Sequence, residues 1–228
     1  LEIHDELVWG EKPDEQIMII ENELKYELNI ESGQKTGFYI DQRDNRFAVR
    51  KYAKGRSCAD ICSYSGGFTL NLLAGGALSV KTVDISDKAL MLAEKNLLLN
   101  QFSQAEMIRS DAFKFLESQI SLKQKFDLIV LDPPKFTHSK SSSKQAIKGY
   151  TQLNAMALKC LNKNGILITC SCSGRISREE FFQAVAHAAV ISKRSVRLLE
   201  QRGAGTDHPV NPECPESAYL KCFIYQVE

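Results

Sequence analysis

Two cysteines stand two apart in "ITCSCSG", residues 168–174, where an aliphatic and β-branched run gives way to small polar residues. A thiol inside such a run is a small hydrophobe. A thiol just past its end, at a ligand crevice, can be a nucleophile. Cys170 lies within the run, whereas Cys172 follows it and precedes Ser173-Gly174. Three aspartates have comparable placements: Asp60 in "DICSYSGGF", Asp84 at a distance of 24 residues, and Asp111 in "RSDAF". An acid after the second strand of a nucleotide-binding sheet accepts ribose hydroxyls. One after the third can accept from an adenine amino group. Each could also serve only as a helix N-cap, but three in register favour an adenosine-containing cofactor.

Positioning such groups requires strand ends, and the sequence supplies them. Apolar runs at 57–62, 78–84, 105–109, 126–131 and 165–171 alternate with helical patterns at 67–74, 87–100, 111–122, 144–162 and 177–192. Ala89, Leu90, Ala93 and Leu97 recur at helical spacing after Ser86 or Asp87 as N-cap. This alternation predicts an α/β fold with a doubly wound, mainly parallel Rossmann-like sheet, in which ligands bind beyond the carboxyl ends of the strands. Residues 196–200 and 219–227 add two more strands, for seven in all. Upstream, 17–30 reads as two strands across Glu21-Asn22-Glu23, "TGFYID" at 36–41 as a third, and 42–53 as a helix stopped by Gly55. The expected division is a small β-rich subdomain, 1–41, and a main domain, 42–228.

The loop chemistry selects among cofactors. "SYSGGF" lacks the GxGxxG spacing that fits a pyrophosphate, while Asp60 before it suits a cationic amino-acid end. S-adenosylmethionine is therefore favoured over a nicotinamide dinucleotide. Gly66 and Gly67 let the backbone approach the ligand closely.

The 228 residues suffice for one substantial core. A net charge of +1 leaves nucleic-acid contact to local patches. Seven cysteines without CxxC spacing fit reduced thiols rather than disulfides or zinc, so no metal is expected. No 18-residue apolar run or signal-like segment occurs, which predicts a cytoplasmic location without membrane contact. The chain opens on Leu1 rather than Met, so an N-terminal portion of the natural protein is expected to be absent.

Further segments make the reading more specific. "KTGFYIDQRDNR" at 35–46, "DICSYSGGF", "DPPKF" at 132–136, "SCSG" at 171–174 and "DHP" at 207–209 together resemble the bacterial 23S ribosomal RNA 5-methylcytosine methyltransferases of the class I S-adenosylmethionine fold. The resemblance runs from about Asp5 to the C-terminus. In that family an RNA-binding PUA domain precedes the small β domain, and this chain has no room for it. The resemblance implies that Asp60, Ser63, Tyr64, Gly66 and Phe68 hold the methionine end of the cofactor. It places Asp84, with Ile85 beside it, on the ribose and Asp111 with Ala112 on the adenine. Arg43 is expected to hold the cofactor carboxylate, since its fork can bind one bidentately.

The implied partner is RNA, expected to be ribosomal, and a homodimer is compatible with the sequence. Cytosine C5 is a poor nucleophile, so a thiolate must first add to C6. Cys172 is the expected nucleophile, with Lys135 or the cofactor sulfonium favouring its ionised form. Asp132 would contact both cofactor and base, and bind the cytosine at N3. Pro133, Pro134, Lys135 and Phe136 would line the base pocket. Lys140, Lys144 and Lys148 in the Ser/Lys-rich tract would grip phosphates. Where many RNA 5-methylcytosine enzymes carry a second cysteine in the Asp-Pro-Pro segment, this chain has Lys135, so another base or water must remove the C5 proton.

"DPPKF" also resembles the Asn/Asp-Pro-Pro-aromatic signature of purine-nitrogen methyltransferases, which need no thiol, although here Lys135 separates the prolines from Phe136. A catalytically silent RNA-binding module is a third reading. His208 reads as a structural histidine.

Overall fold

The computed structural model describes residue 9 and residues 17–28, 37–136 and 143–228. A hairpin of β1 (Ile17–Glu21) and β2 (Leu24–Leu28) opens the described chain. Its turn is Asn22-Glu23, with φ of 50° and 67°, the backbone twist that a two-residue hairpin turn requires. Leu24, Tyr26 and Leu28 alternate inward from β2. The edge of β2 is met by α3 (Asp87–Leu99) and its cap: Lys25 N–H donates to Asn100 Oδ1 at 2.9 Å and Glu27 N–H to Asn96 Oδ1 at 2.7 Å.

The third strand expected over 36–41 is absent from its described part. Gly37 takes φ 82°, and Ile40–Gln42 is a 3-10 turn leading into α1 (Arg43–Ala53). Asp41 and Gln42 are buried by that turn. A third strand would have aimed one of them at solvent.

The main sheet contains β3 (Ser57–Ile61), β4 (Ser79–Asp84), β5 (Ala105–Arg109), β6 (Phe126–Leu131), β7 (Leu161–Ser171), β8 (Val196–Arg202) and β9 (Lys221–Val227). Their order is β5-β4-β3-β6-β7-β9-β8. All pairings are parallel except those of β9, which runs antiparallel to both neighbours. Leu128, Ile129, Val130 and Leu131 in β6 are all buried, as a parallel strand covered on both faces must be. The alternation of strands and helices thus yields the doubly wound sheet its sequence predicts.

Two hydrophobic clusters cover the two faces. One joins the hairpin to α1, α2 (Gly67–Ala74) and α3. The other joins α4 (Ala112–Ser121), α5 (Ser143–Lys159) and α6 (Arg178–Ser192). The helix expected over 144–162 stops earlier, at Lys159, because Leu161 already pairs with Phe126 at the start of β7. Chain order reverses between β3 and β6, where Asp132 N–H donates to Ile61 O at 3.2 Å. That junction is the expected ligand crevice.

Candidate active site

The turn after β3 is built from residues in the left-handed region: Cys62 at φ 64°, Tyr64 at 47° and Gly66 at 78°. A side chain at Gly66 would place its Cβ 3.0 Å from that of Ala93, and one at Gly67 would meet Arg46 Cδ at 2.7 Å. These glycines therefore seat the turn against α3 and α1 as well as opening the backbone. Phe68 is buried in the core beneath the turn.

Asp60 is fully buried at the end of β3. Its Oδ2 accepts from Thr69 N–H at 2.9 Å and from Thr69 Oγ1 at 2.8 Å. Its Oδ1 and the buried Ser63 Oγ have no partner among the described residues. Burial is the main cause that pushes the Asp60 carboxyl up to about 7, with the charge of Asp84 adding to it. An incompletely satisfied buried carboxylate is costly. A cationic amino group would relieve both the missing partner and the charge, so this end fits the methionine portion of S-adenosylmethionine.

Asp84 is half-buried, and its two oxygens accept from Tyr64 N–H and Ser86 N–H, each at 2.9 Å. Each oxygen retains a second lone pair, so the group can fix its own loop and still receive ribose hydroxyls. Ile85 beside it is 66% exposed, an open apolar surface for a ring to lie on. Asp111 caps α4 through Oδ1, at 2.9 Å to Phe113 N–H and 3.2 Å to Lys114 N–H. Ala112 packs partly against the core. Arg43 is engaged by Asp44 at 3.1 Å and Asp207 at 2.9 Å. His208 Nδ1 lies 3.2 Å from the same Asp207.

The other half of the crevice follows β6 and β7. Asp132 is half-buried and accepts from Gln42 Nε2 at 3.1 Å. Burial, followed by the charges of Asp60 and Asp41, pushes its carboxyl up to about 7. Pro133 is buried, while Pro134 and Lys135 are exposed. Phe136 packs edge-on against Tyr150, 4.8 Å between ring centres. Lys144 and Lys148 occupy successive turns of α5 and are exposed, and Lys140 lies outside the described residues.

The two cysteines are sharply distinguished. Cys170 is 0% exposed and pairs across the sheet with Cys222, whose sulfur, together with burial, pushes the Cys170 thiol well above its usual range. Cys172 is half-buried just past Ser171, the last residue of β7. Ser171 Oγ hydrogen-bonds Tyr150 OH at 3.0 Å.

Several neighbours of this site were not singled out in the sequence. Asp41 accepts from Tyr219 OH at 2.7 Å, Gln42 holds Asp132, and Lys221 is buried behind the 171–176 turn. Arg46 forms a buried bidentate pair with Glu21, at 2.7 and 2.6 Å, and donates to Tyr39 O at 2.9 Å. A lysine inside the apolar run "YLKCFIYQV" was the available signal for Lys221. Among the described residues no group of acidic, histidine or cysteine side chains is arranged to hold a metal, and no helix is long and apolar enough to cross a membrane.

The seven-stranded sheet with one antiparallel strand, and acids at the carboxyl ends of β3 and β4 and just after β5, defines a Rossmann-like class I methyltransferase. Residues 5–225 match the S-adenosylmethionine-dependent methyltransferases, and the chain belongs to that family. Its cofactor is accordingly S-adenosylmethionine. The chain is 42% identical over its full length to "Ribosomal RNA large subunit methyltransferase I" of Escherichia coli O139:H28 and of Shigella dysenteriae serotype 1, covering 58% of each. Among solved structures, SMU.776 complexed with SAH superposes with a TM-score of 0.86 at 24% identity, over 96% of this chain and 58% of that one. The complex of aTrm5 with tRNALeu gives 0.63 at 17% identity, over 96% and 55%. These structural likenesses establish the fold. The chain spans under three-fifths of the length of the curated relatives it matches.

Proposed function

We propose that this chain carries the catalytic domain, residues 42–228, and a small β-rich subdomain, residues 1–41, of a cytoplasmic enzyme that methylates cytosine C5 in large-subunit ribosomal RNA. The ribosomal RNA methyltransferase name of its 42% identical relatives supports the RNA class. The observation that carries the C5 chemistry is the half-buried Cys172 just past the end of β7, which pairs with β6, the strand that Asp132 follows.

S-adenosylmethionine, when bound, supplies an electrophilic methyl group. Asp60 and Ser63 would hold its amino-acid end, Asp84 its ribose, Ile85 and Asp111 its adenine side. The Cys172 thiolate adds to cytosine C6, forming an S–C bond as the C5–C6 π pair moves toward C5. Asp132, whose carboxyl burial pushes up to about 7, in its protonated form donates to N3 and offsets the charge that addition builds there. After methylation, loss of the C5 proton returns its electron pair to the ring and expels the thiolate. Lys135, Lys144 and Lys148 are exposed and would contact phosphates, with Lys140 in the same tract.

The test is 23S RNA transcribed with 5-fluorocytidine. Fluorine cannot leave as a proton does, so the parent enzyme should become covalently trapped in the presence of cofactor. Cys172→Ala should lose both trapping and methylation, while Cys170→Ala should retain trapping. Methylation of a purine nitrogen by Cys172→Ala at the parental rate would overturn the C5 reading.

A further inference from the structure

Lys221 is buried in β9 at 1% exposure, in a strand otherwise made almost wholly of apolar side chains. An ammonium can be held there only if its three donors are met. All three are: Nζ donates to Ser173 O at 2.5 Å, Ile176 O at 2.7 Å and Tyr219 O at 2.8 Å. No carboxylate lies within ion-pair distance of it among the described residues.

The position of this charge is specific. Lys221 pairs with Ser171 across the sheet, and two of its three acceptors belong to the turn that follows Cys172. Cys172 thus sits between the residue paired with Lys221 and the first residue bonded to it.

We propose that Lys221 is a positioning residue for Cys172: its ammonium, clamped by three carbonyls, fixes the 171–176 turn and holds a positive charge beside the sulfur. This rests on Cys172 as the nucleophile of the proposed reaction. Burial is the main influence on Lys221, lowering its proton affinity to about 8. Cys172 and Glu180 act in the opposite direction, whereas Arg178 and Lys135 reinforce the lowering. Coupling between two titrating groups is reciprocal. A group whose negative charge retains the lysine proton has its own ionised form stabilised by that lysine. The phenols of Tyr39, Tyr150 and Tyr219 also feel the sulfur, and they are neutral at working pH.

The experiment follows alkylation of Cys172 by iodoacetamide, located by peptide mass, from about pH 6 to pH 10. Lys221→Met retains most of the side-chain volume but removes charge and donors. Its alkylation midpoint should rise by about one pH unit, with cofactor affinity retained, while Lys221→Arg should stay near the parent. An unchanged midpoint in folded Lys221→Met would overturn the inference.

If Lys221→Met does not fold, the same coupling is read from the other side by 15N NMR of lysine Nζ. The Lys221 midpoint should fall by about half a unit or more in Cys172→Ala, and an unchanged midpoint would overturn the inference. Trapping by 5-fluorocytidine RNA separates it from the reading beneath it. Parent enzyme that never traps, alongside a raised midpoint in Lys221→Met, would sink the C5 reaction and leave the lysine's hold on the sulfur. Trapping by folded Lys221→Met at the parental rate would sink the lysine's role and leave the nucleophile.

Discussion

At the scale of single residues, the site combines acids that resist ionisation with one that does structural duty as well. Folding favours the protonated form of Asp60, because its carboxyl is pushed from the usual range of about 4 to about 7. The stability this contributes is complete below about pH 4 and is lost as pH rises through about 7. Asp60→Asn removes that loss while leaving an acceptor for Thr69. Without cofactor the variant should therefore melt above the parent at about pH 8, with the gap closing toward about pH 4. Its affinity for S-adenosylmethionine should fall about 10- to 100-fold, since a charge-assisted hydrogen bond is worth about 1.5–3 kcal/mol. Scanning fluorimetry and calorimetry check the two halves, and parental affinity would remove Asp60 from the cofactor site. Asp84→Ala should weaken cofactor binding to a similar extent. It should also loosen the 62–66 turn, because Asp84 holds Tyr64 N–H. Unaltered calorimetric affinity would show that its duty is structural alone.

At the scale of elements, hydrophobic periodicity located most of the sheet, because each strand has its apolar run and each crossover its helical spacing. The starts of β3, β4, β5 and β6 fall within a residue of the sequence reading. It failed where tertiary contacts override local pattern. The 36–41 segment has β-prone residues, but Gly37 and the burial of Asp41 and Gln42 bend it into a turn. The helix read from 144 does form, as α5 from Ser143, and buries Ala146 and Tyr150 while Lys144 and Lys148 face solvent. Their spacing places both cations on adjacent turns of one rigid element. Lys144→Gln with Lys148→Gln should weaken RNA binding. If each contacts a phosphate, the slope of log affinity against log salt should flatten by about 0.9 per charge on a duplex, or about 0.7 on a single strand. Equal slopes for variant and parent in filter binding would show that α5 merely bounds the site.

At the scale of the whole molecule, the contacts least legible in the sequence join distant segments. Lys221 to Ser173, Gln42 to Asp132, and Tyr219 to Asp41 are separated by 48, 90 and 178 residues. Residue type and period carry no record of such pairings, whereas the strand-end placement of Asp60, Asp84 and Asp111 follows directly from the apolar runs that precede them. The Glu21–Arg46 pair is the clearest example with a stability consequence. Both side chains are about 95% buried, and Arg46 also stacks 4.5 Å above Phe38 and lies against Gly67 at the start of α2. The hairpin is thereby linked through one guanidinium to the turn proposed to hold the cofactor. Glu21→Ala would leave that guanidinium buried without its partner, at a cost of about 3–5 kcal/mol. The urea midpoint should fall accordingly. Cofactor affinity should fall with it, because Arg46 freed from Glu21 no longer fixes the neighbourhood of Gly67. If Glu21→Ala lowers the midpoint but binds S-adenosylmethionine as the parent does, the hairpin braces the fold without shaping the cofactor turn.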